Sequence, residues 1–206
     1  MTPRRLITLA LAFALGSIAA AQNRSFPNIY VFGDSLSDTG NLFAATSALG
    51  AANPPAPYFQ GRFSNGPVWV ERLGNTLALA VTAPPTVRSS MNFAFSGATA
   101  AGTASLPPSL GVQIGLFRQR GITPGAGDLF TVLAGANDLI PVLSAPTTPV
   151  NPASLDAAGA ATAQSVMANV QTLVGLGAKN IVVSGLPNLG ATPRSLAAGG
   201  PGGAGA

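Results

Sequence analysis

The chain has 206 residues, of which 47% are apolar and only 8% charged, so it carries enough apolar material for the core of one domain. Its Lys and Arg residues number 10 and are scattered, which argues against nucleic-acid binding although the formal net charge is +4. The absence of Cys and His excludes disulfides, thiolate zinc sites, a Cys nucleophile and the commonest general base.

The N-terminus has the three parts of a secretory signal peptide. Arg4 and Arg5 form a basic end, residues 6–15 form an apolar run, and three alanines ending at Ala21 form a cleavage site. The sequence therefore predicts a signal peptide over residues 1–21 and a secreted or periplasmic mature protein. The alternative is an uncleaved membrane anchor, but the apolar run is short for a membrane span. No stable membrane span is expected after cleavage.

The first half of the chain predicts two strands and a helix. Residues 28–32 are β-branched and aromatic and predict a buried strand, whereas residues 44–66 predict a loop or a short helix. A helix is predicted from Gly66, with Pro67 in its first turn. Residues 91–97 predict a second short strand that ends at a glycine.

The second half continues the alternation of helices and strands. A helix is predicted over residues 111–120, and an apolar run at 128–135 predicts a buried parallel strand. Residues 141–152 are rich in Pro and Thr and predict a loop. A long helix is predicted over residues 152–176, capped by the preceding Asn, and a further strand over 180–185. The alternation predicts an α/β fold with a mainly parallel sheet.

The domain organisation is simple. Residues 22–196 predict one catalytic or binding domain, without an internal repeat. Residues 197–206 are a low-complexity stretch of Ala, Gly and Pro, for which disorder is expected.

Polar residues follow three of the four predicted strands. The first strand ends in the segment that carries Ser35, the second ends in Ser96 and Gly97, and the third ends in the segment that carries Asn137. Since parallel strands end at the same edge of a sheet, these three segments are expected to meet there. A hydroxyl beside several N–H donors is the arrangement that acyl transfer needs. Taken singly, each residue is more often part of a turn or a helix cap.

Five segments of the sequence resemble one known family, in the order in which that family has them. "GDSLSDTGN" resembles the first block of the GDSL lipases and esterases, also called SGNH hydrolases, and is closest to their plant-type and secreted bacterial branch. Four later segments are similar to blocks of that branch: "GRFSNGPVWVERL" (61–73), "NFAFSGATA" (92–100), "LAGANDL" (133–139) and "GLPNLGATP" (185–193).

The resemblance implies a site, a reaction and a fold. Ser35 would be the nucleophile, and its own N–H, the N–H of Gly97 and the side chain of Asn137 would form the oxyanion hole. The reaction would be hydrolysis of small-molecule or lipid carboxylic esters through an acyl-enzyme, without a metal or organic cofactor. The fold would be a three-layer α/β/α sandwich with a five-stranded parallel sheet. Three motif residues would shape the loop and would not transfer protons in the reaction: Asp34, Asp38 and Asn41.

The sequence departs from the family at the catalytic base. The family's last block is Asp-x-x-His, and this chain has no His. We therefore expect a C-terminally truncated member that lacks the last strand and helix and has little activity alone. Asp38 and Asp138 are poor bases for a serine, and Lys179 is expected at the far end of a strand. The alternative is a catalytically inactive secreted protein that binds esters or glycans.

Overall fold

A computed structural model describes most of the chain. The described residues are 26–77, 79–81, 90–143 and 151–197. The predicted signal peptide at 1–21 lies outside these ranges, as does the low-complexity tail beyond residue 197.

The described residues form a four-stranded parallel sheet. Its strands are β1 (Ile29–Gly33), β2 (Ser90–Asn92), β3 (Leu129–Leu133) and β4 (Asn180–Val183), in the spatial order β2-β1-β3-β4. All three pairings are parallel in direction, with β1 between β2 and β3. Every strand predicted from the sequence is present, although β2 is shorter than expected. The chain after β2 stays close to β1, because the N–H of Phe93 donates to the carbonyl of Val31 at 2.7 Å.

Six α-helices connect and cover the strands within the described residues. They are α1 (Asn41–Ser47), α2 (Trp69–Thr76), α3 (Leu110–Gln119), α4 (Ala136–Leu143), α5 (Pro152–Gly175) and α6 (Pro193–Ala197). A short 3₁₀ turn, Leu189–Ala191, precedes α6. The long helix α5 starts as the sequence predicts, since the side chain of Asn151 accepts a hydrogen bond from the N–H of Ala153 at 3.0 Å.

Helices pack on both faces of the sheet, which gives the predicted three-layer arrangement. The alternation of side chains along β1 sends Tyr30 and Phe32 to one face and Ile29 and Val31 to the other. On the first face, the aromatic side chains of the strands pack against α3 and α5 around Phe117. The second face packs against α2 and the residues beside it. Both cores fix the sheet, and with it the carboxyl ends of its strands.

Two further details of the predicted elements are wrong. Helix α4 includes the first residues of the predicted loop at 141–152, and Pro141 lies inside it. Pro141 removes one backbone donor, but α4 has only 8 residues and packs against α5, so packing compensates for the lost bond. The second error concerns Pro67, which precedes α2. Val68 caps that helix in an extended conformation, and its N–H donates to the Glu71 carboxylate at 2.8 Å.

Candidate active site

The turn after β1 places Ser35 at the edge of the sheet. Gly33 has a φ of 148°, and a Cβ there would lie 2.1 Å from the carbonyl oxygen of Leu133, so only glycine fits between β1 and β3. Beyond it the chain turns tightly, with the N–H groups of Ser37 and Asp38 donating to the carbonyl of Asp34 at 3.0 Å each. Ser35 is half-buried at the top of this turn. Within the described residues, neither its N–H nor its hydroxyl has a hydrogen-bond partner.

Gln113 fixes this turn from below. Its amide oxygen accepts from the N–H of Gly33 at 2.9 Å, and its amide nitrogen donates to the carbonyls of Gly33 and Pro108 at 2.9 Å and 3.0 Å. The side chain is completely buried. Gln113 was not among the site residues predicted from the sequence. The available signal was its position on the apolar face of α3, where a polar side chain needs a buried partner.

The three predicted site residues meet in one cavity, which we call the serine cavity. It has a volume of about 450 Å³, and Ser35, Gly97 and Asn137 all line it. Apolar side chains make up much of the remaining wall, including Leu42, Leu49, Phe95 and Leu106. The cavity therefore combines the hydroxyl of Ser35, which has no partner among the described residues, with an apolar surface that an acyl or alkyl group can contact.

Two of these residues present N–H donors. Gly97 has a φ of 86°, a left-handed conformation that glycine adopts without strain, and its N–H has no partner among the described residues. Asn137 lies in the first turn of α4 and donates one amide hydrogen to the carbonyl of Ala98 at 2.8 Å. An amide nitrogen carries two hydrogens, so this bond orients the side chain and leaves a second donor.

The loop after β2 is held in place by charge-assisted and neutral hydrogen bonds. The carboxylate of Asp138 accepts from the N–H groups of Ala100 and Ala101 at 2.8 Å and 3.0 Å. Asn169 on α5 donates to the carbonyl of Ala100 at 3.2 Å. These bonds fix the segment that carries Gly97, so its N–H keeps its direction when a ligand enters.

Asp38 connects the first and second strand ends. Its buried carboxylate accepts from the N–H groups of Gly40, Asn41 and Leu42 and from both the N–H and the hydroxyl of Ser96, at 2.6 to 3.2 Å. A carboxylate with five donors is a structural anchor rather than a free base. This geometry agrees with a loop-shaping role for Asp38.

Asparagines complete the anchoring of this loop. The amide of Asn41 donates to the carbonyls of Asn92 and Ala94 at 2.9 Å and 2.8 Å. Asn92, which the sequence analysis did not single out, is completely buried and donates to the carbonyl of Ser37 at 2.7 Å. The signal for Asn92 was a polar residue near the start of the apolar run that predicts the second strand.

Asp34 carries an unusual carboxylate. Its side chain is 1% exposed, and one oxygen accepts from the N–H of Leu36 at 3.0 Å. The other oxygen has no partner in the described part of the chain. Burial raises the pKa of Asp34 from 3.8 to about 6, and the charge of Asp138 adds to the rise while the Leu36 N–H opposes it.

The Asp34→Asn variant is expected to change how stability depends on pH. Between about pH 4 and pH 6 the unfolded chain releases the Asp34 proton while the folded chain keeps it, so the free energy of unfolding of the unsubstituted protein falls as pH rises. The variant has no such proton. Its free energy of unfolding, relative to the unsubstituted protein, should therefore rise by roughly 2 kcal/mol from pH 4 to pH 7.

Urea unfolding of both proteins across this pH range measures the difference. The contributions of the other titrating groups to the free energy of unfolding cancel in this difference, because both proteins share those groups. Parallel pH profiles for the two proteins would show that Asp34 is ionised in the fold as readily as in the unfolded chain.

The groups considered as alternative bases are poorly placed. Asp38 and Asp138 already accept backbone N–H bonds, and Lys179 precedes β4 at the amino end of the sheet, opposite Ser35. No cluster of acidic side chains suited to a metal ion occurs among the described residues. Over those same ranges, none of the helices combines the length and apolar character that crossing a bilayer requires.

Comparison with known proteins gives a family match over most of the chain. The model of the GDSL-like lipase/acylhydrolase family matches residues 29–201. A GDSL esterase/lipase of Arabidopsis thaliana is 31% identical over 219 residues, which cover 94% of this chain and 62% of that protein.

Two bacterial proteins are also similar. A phosphatidylcholine-sterol acyltransferase of Aeromonas hydrophila is 48% identical over 60 residues, 29% of this chain and 17% of that protein. A secreted effector protein of Salmonella typhimurium is 29% identical over 164 residues, 79% of this chain and 35% of that protein. The chain thus spans less than two thirds of the length of each of these three relatives.

Proposed function

The chain belongs to the family of GDSL-like lipases and acylhydrolases, and from this premise we propose that it hydrolyses carboxylic esters through an acyl-enzyme on Ser35. The observation that carries the proposal is the serine cavity, which Ser35, Gly97 and Asn137 line together. A partly exposed hydroxyl that has no partner in the described part of the chain, beside preset N–H donors, is suited to nucleophilic attack on an ester carbonyl.

In the proposed reaction, the Ser35 oxygen attacks the ester carbonyl carbon while a base takes its proton. The carbonyl oxygen becomes an oxyanion, which accepts hydrogen bonds from the N–H groups of Ser35 and Gly97 and from the amide of Asn137. The alcohol leaves with the proton, and an acyl group stays on Ser35. Water then attacks this acyl-enzyme in the same way, so that the acid is released and the Ser35 hydroxyl is restored.

The donors support this proposal because they are fixed before a substrate arrives. Gln113 holds the backbone on which Ser35 lies, Asp38 ties Ser96 to the first loop, and Asp138 ties down the chain beyond Gly97. Donors that need no reorganisation stabilise an oxyanion most, and removing a single donor costs about 10²–10³ in rate.

The mechanism needs a catalytic base, and none of these 206 residues is a histidine that could serve as that base. We propose that the chain is part of a longer protein, in which an Asp-x-x-His segment after residue 206 provides the base. In a measured serine protease, loss of the base alone cost about 10⁶ in turnover. The 206-residue chain alone should therefore hydrolyse esters only weakly.

The experiment compares ester hydrolysis by the 206-residue chain and by the same chain expressed together with the coding sequence that follows it. We expect the longer protein to have a kcat about 10⁶-fold higher, because the base increases the nucleophilicity of Ser35. Equal and negligible rates for two folded proteins would contradict the proposal. A folded, ligand-binding and inert protein would favour the alternative of an inactive ester- or glycan-binding protein.

We also propose that the protein is secreted and acts on small-molecule or lipid esters. The basic, apolar and small-residue parts of residues 1–21 support export through a cleaved signal peptide. The similar bacterial proteins, one named as a secreted effector and one as a phosphatidylcholine-sterol acyltransferase, are compatible with an extracellular lipid substrate.

A further inference from the structure

Large apolar side chains are exposed around the opening of the serine cavity. Leu49 and Leu106 contribute to its wall and are 79% and 70% exposed. Leu36, the residue after Ser35, is 39% exposed, and Tyr58 is 46% exposed. Single exposed apolar residues are common, but several around one opening form a surface that water covers at a cost. We call the four residues Leu36, Leu49, Tyr58 and Leu106 the rim.

Phe63 connects the residues of the rim. It lines both the serine cavity and a neighbouring cavity of about 480 Å³, whose wall includes Leu36. The ring of Tyr58 packs on the ring of Phe63, with 5.3 Å between the two centroids. The rim therefore borders one continuous opening at the carboxyl ends of the strands.

Tight turns hold the two most exposed leucines outward. Leu49 follows α1, and its N–H donates to the carbonyl of Thr46 at 3.0 Å. Leu106 lies in a turn that the N–H of Ser109 closes by donating to the carbonyl of Ala104 at 2.9 Å. Turns more often carry small or polar residues, which need no apolar partner. Here the backbone itself presents two leucine side chains to the surroundings.

The rim carries no charge of its own. The segments that hold most of it, residues 41–61 and 93–117, contain no Asp, Glu, Lys or Arg. Arg62 lies beside this surface, but it pairs with Glu71 at 2.6 Å, so the two charges compensate each other. An uncharged apolar surface of this kind matches the acyl-chain region of a lipid layer, which offers no hydrogen-bond partners.

The exposed charges elsewhere indicate which lipids fit. Arg118 and Arg120 lie at the end of α3, and Lys179 precedes β4, so these three cations lie at the amino ends of the strands, away from the rim. Asp156, the one exposed carboxylate among the described residues, lies near the start of α5 and beside the chain that leaves β4. This distribution does not attract the rim to an anionic surface, so a zwitterionic surface fits better.

We propose that the rim is a lipid-docking surface, through which the protein binds a zwitterionic bilayer with the serine cavity open toward the lipid. Leu49 and Leu106 enter the acyl-chain region, and Tyr58 lies at the level of the headgroups, where tyrosine is enriched. The inference goes beyond the proposed function, because binding to a surface requires no nucleophile.

The test measures co-sedimentation of the protein with phosphatidylcholine vesicles. Residues 1–21 are omitted because their apolar run would itself bind lipid, and every residue that the structure describes is retained. Leu49→Gln and Leu106→Gln should each lower the partition coefficient by about tenfold, because each removes an apolar side chain that lipid would cover. Raising the salt concentration about tenfold should leave binding unchanged, since the rim is uncharged.

Met167→Gln and Val174→Gln are the matched controls. These residues of α5 are 55% and 54% exposed and line neither of the two cavities that Phe63 separates. Neither substitution should change binding. Equal losses in the rim variants and the α5 variants would overturn the docking surface, and so would binding that requires anionic lipid and disappears at high salt. Dimerisation that depends on Leu49 and Leu106, without vesicle binding, would assign the rim to a second copy of the chain instead.

Trp69 reports the orientation of the bound protein without any substitution. It is the only tryptophan of the chain, and it lines the same cavity as Leu36. Phosphatidylcholine that is brominated near the carbonyl end of its acyl chains should quench Trp69 fluorescence when the rim faces the lipid. Bound protein with unquenched fluorescence would show that another face docks.

Docking and the proposed function can fail separately. Rim-dependent vesicle binding without ester hydrolysis by the longer protein would keep the docking surface and reject the enzyme. Hydrolysis of soluble esters by a protein that does not bind vesicles would keep the enzyme and reject the docking surface.

Discussion

Ser35→Ala is expected to lower the kcat for ester hydrolysis by about 10⁶-fold in the protein expressed with the coding sequence after residue 206. The substitution removes the atom that forms the acyl-enzyme, and in a measured serine protease the corresponding loss was of this size. The oxyanion donors remain, so a residual rate of about 10³–10⁴ over water is expected. Hydrolysis of a p-nitrophenyl ester by the two purified proteins measures the effect.

Ser96→Ala is the matched control, because Ser96 also contributes to the wall of the serine cavity. Its hydroxyl donates to the buried carboxylate of Asp38 at 2.7 Å, so it resembles an activated serine at first sight. We expect this variant to lose stability and no more than about tenfold in kcat, since only a structural hydrogen bond is removed. Loss of activity in Ser96→Ala, with Ser35→Ala still active, would show that Ser35 is not the nucleophile.

Asn137→Ala should lower kcat by about 10²–10³, with little change in KM, because its amide donor is needed mainly when the oxyanion forms. Asn137→Asp has nearly the same shape but places an acceptor where a donor is required. It should lower kcat at least as much as Asn137→Ala, because a carboxylate repels the oxyanion. Steady-state kinetics on the longer protein gives both constants.

Asn169→Ala separates this electrostatic role from simple anchoring of the loop. Asn169 donates to the carbonyl of Ala100, much as Asn137 donates to the carbonyl of Ala98, but it does not contribute to the wall of the serine cavity. We expect Asn169→Ala to reduce stability and to leave kcat within a few-fold. Similar losses of kcat in the two alanine variants would mean that both residues act only by holding the loop.

The strands and their polar ends were predictable because each carries a strong local signal. The apolar run at β3 and the β-branched and aromatic run at β1 each end at a glycine, and the polar residues follow at once. In a parallel sheet such ends share one edge, so one geometric rule brought Ser35, Gly97 and Asn137 together. The observed serine cavity has all three residues in its wall.

The helix boundaries were less predictable, because tertiary contacts decide them. The local sequence predicts a helix break at Pro141, yet α4 continues through this residue while it packs against α5. Helix α2 begins at Trp69 rather than at Pro67, since the Glu71 side chain satisfies the N–H of Val68. Neither contact can be derived from local propensity alone.

The supporting residues of the site were the hardest to predict. Gln113 lies 80 positions from Gly33 in sequence, and Asn92 lies 55 positions from Ser37. The sequence shows only that a polar side chain stands at a buried position. Which backbone groups it satisfies depends on how α3 and β2 pack, and that packing appears only in the folded structure.

The role of Ser35 is tested most directly by locating the covalent adduct of a long-chain alkyl fluorophosphonate, a reagent that reacts with activated serines. The longer protein is treated with the reagent and digested with trypsin, and the peptides are sequenced by mass spectrometry. One adduct on Ser35, within the peptide of residues 25–62, is the expected result, together with its absence in Ser35→Ala. An adduct on Ser96 or on another serine, or no adduct in a protein that hydrolyses esters, would contradict the assignment.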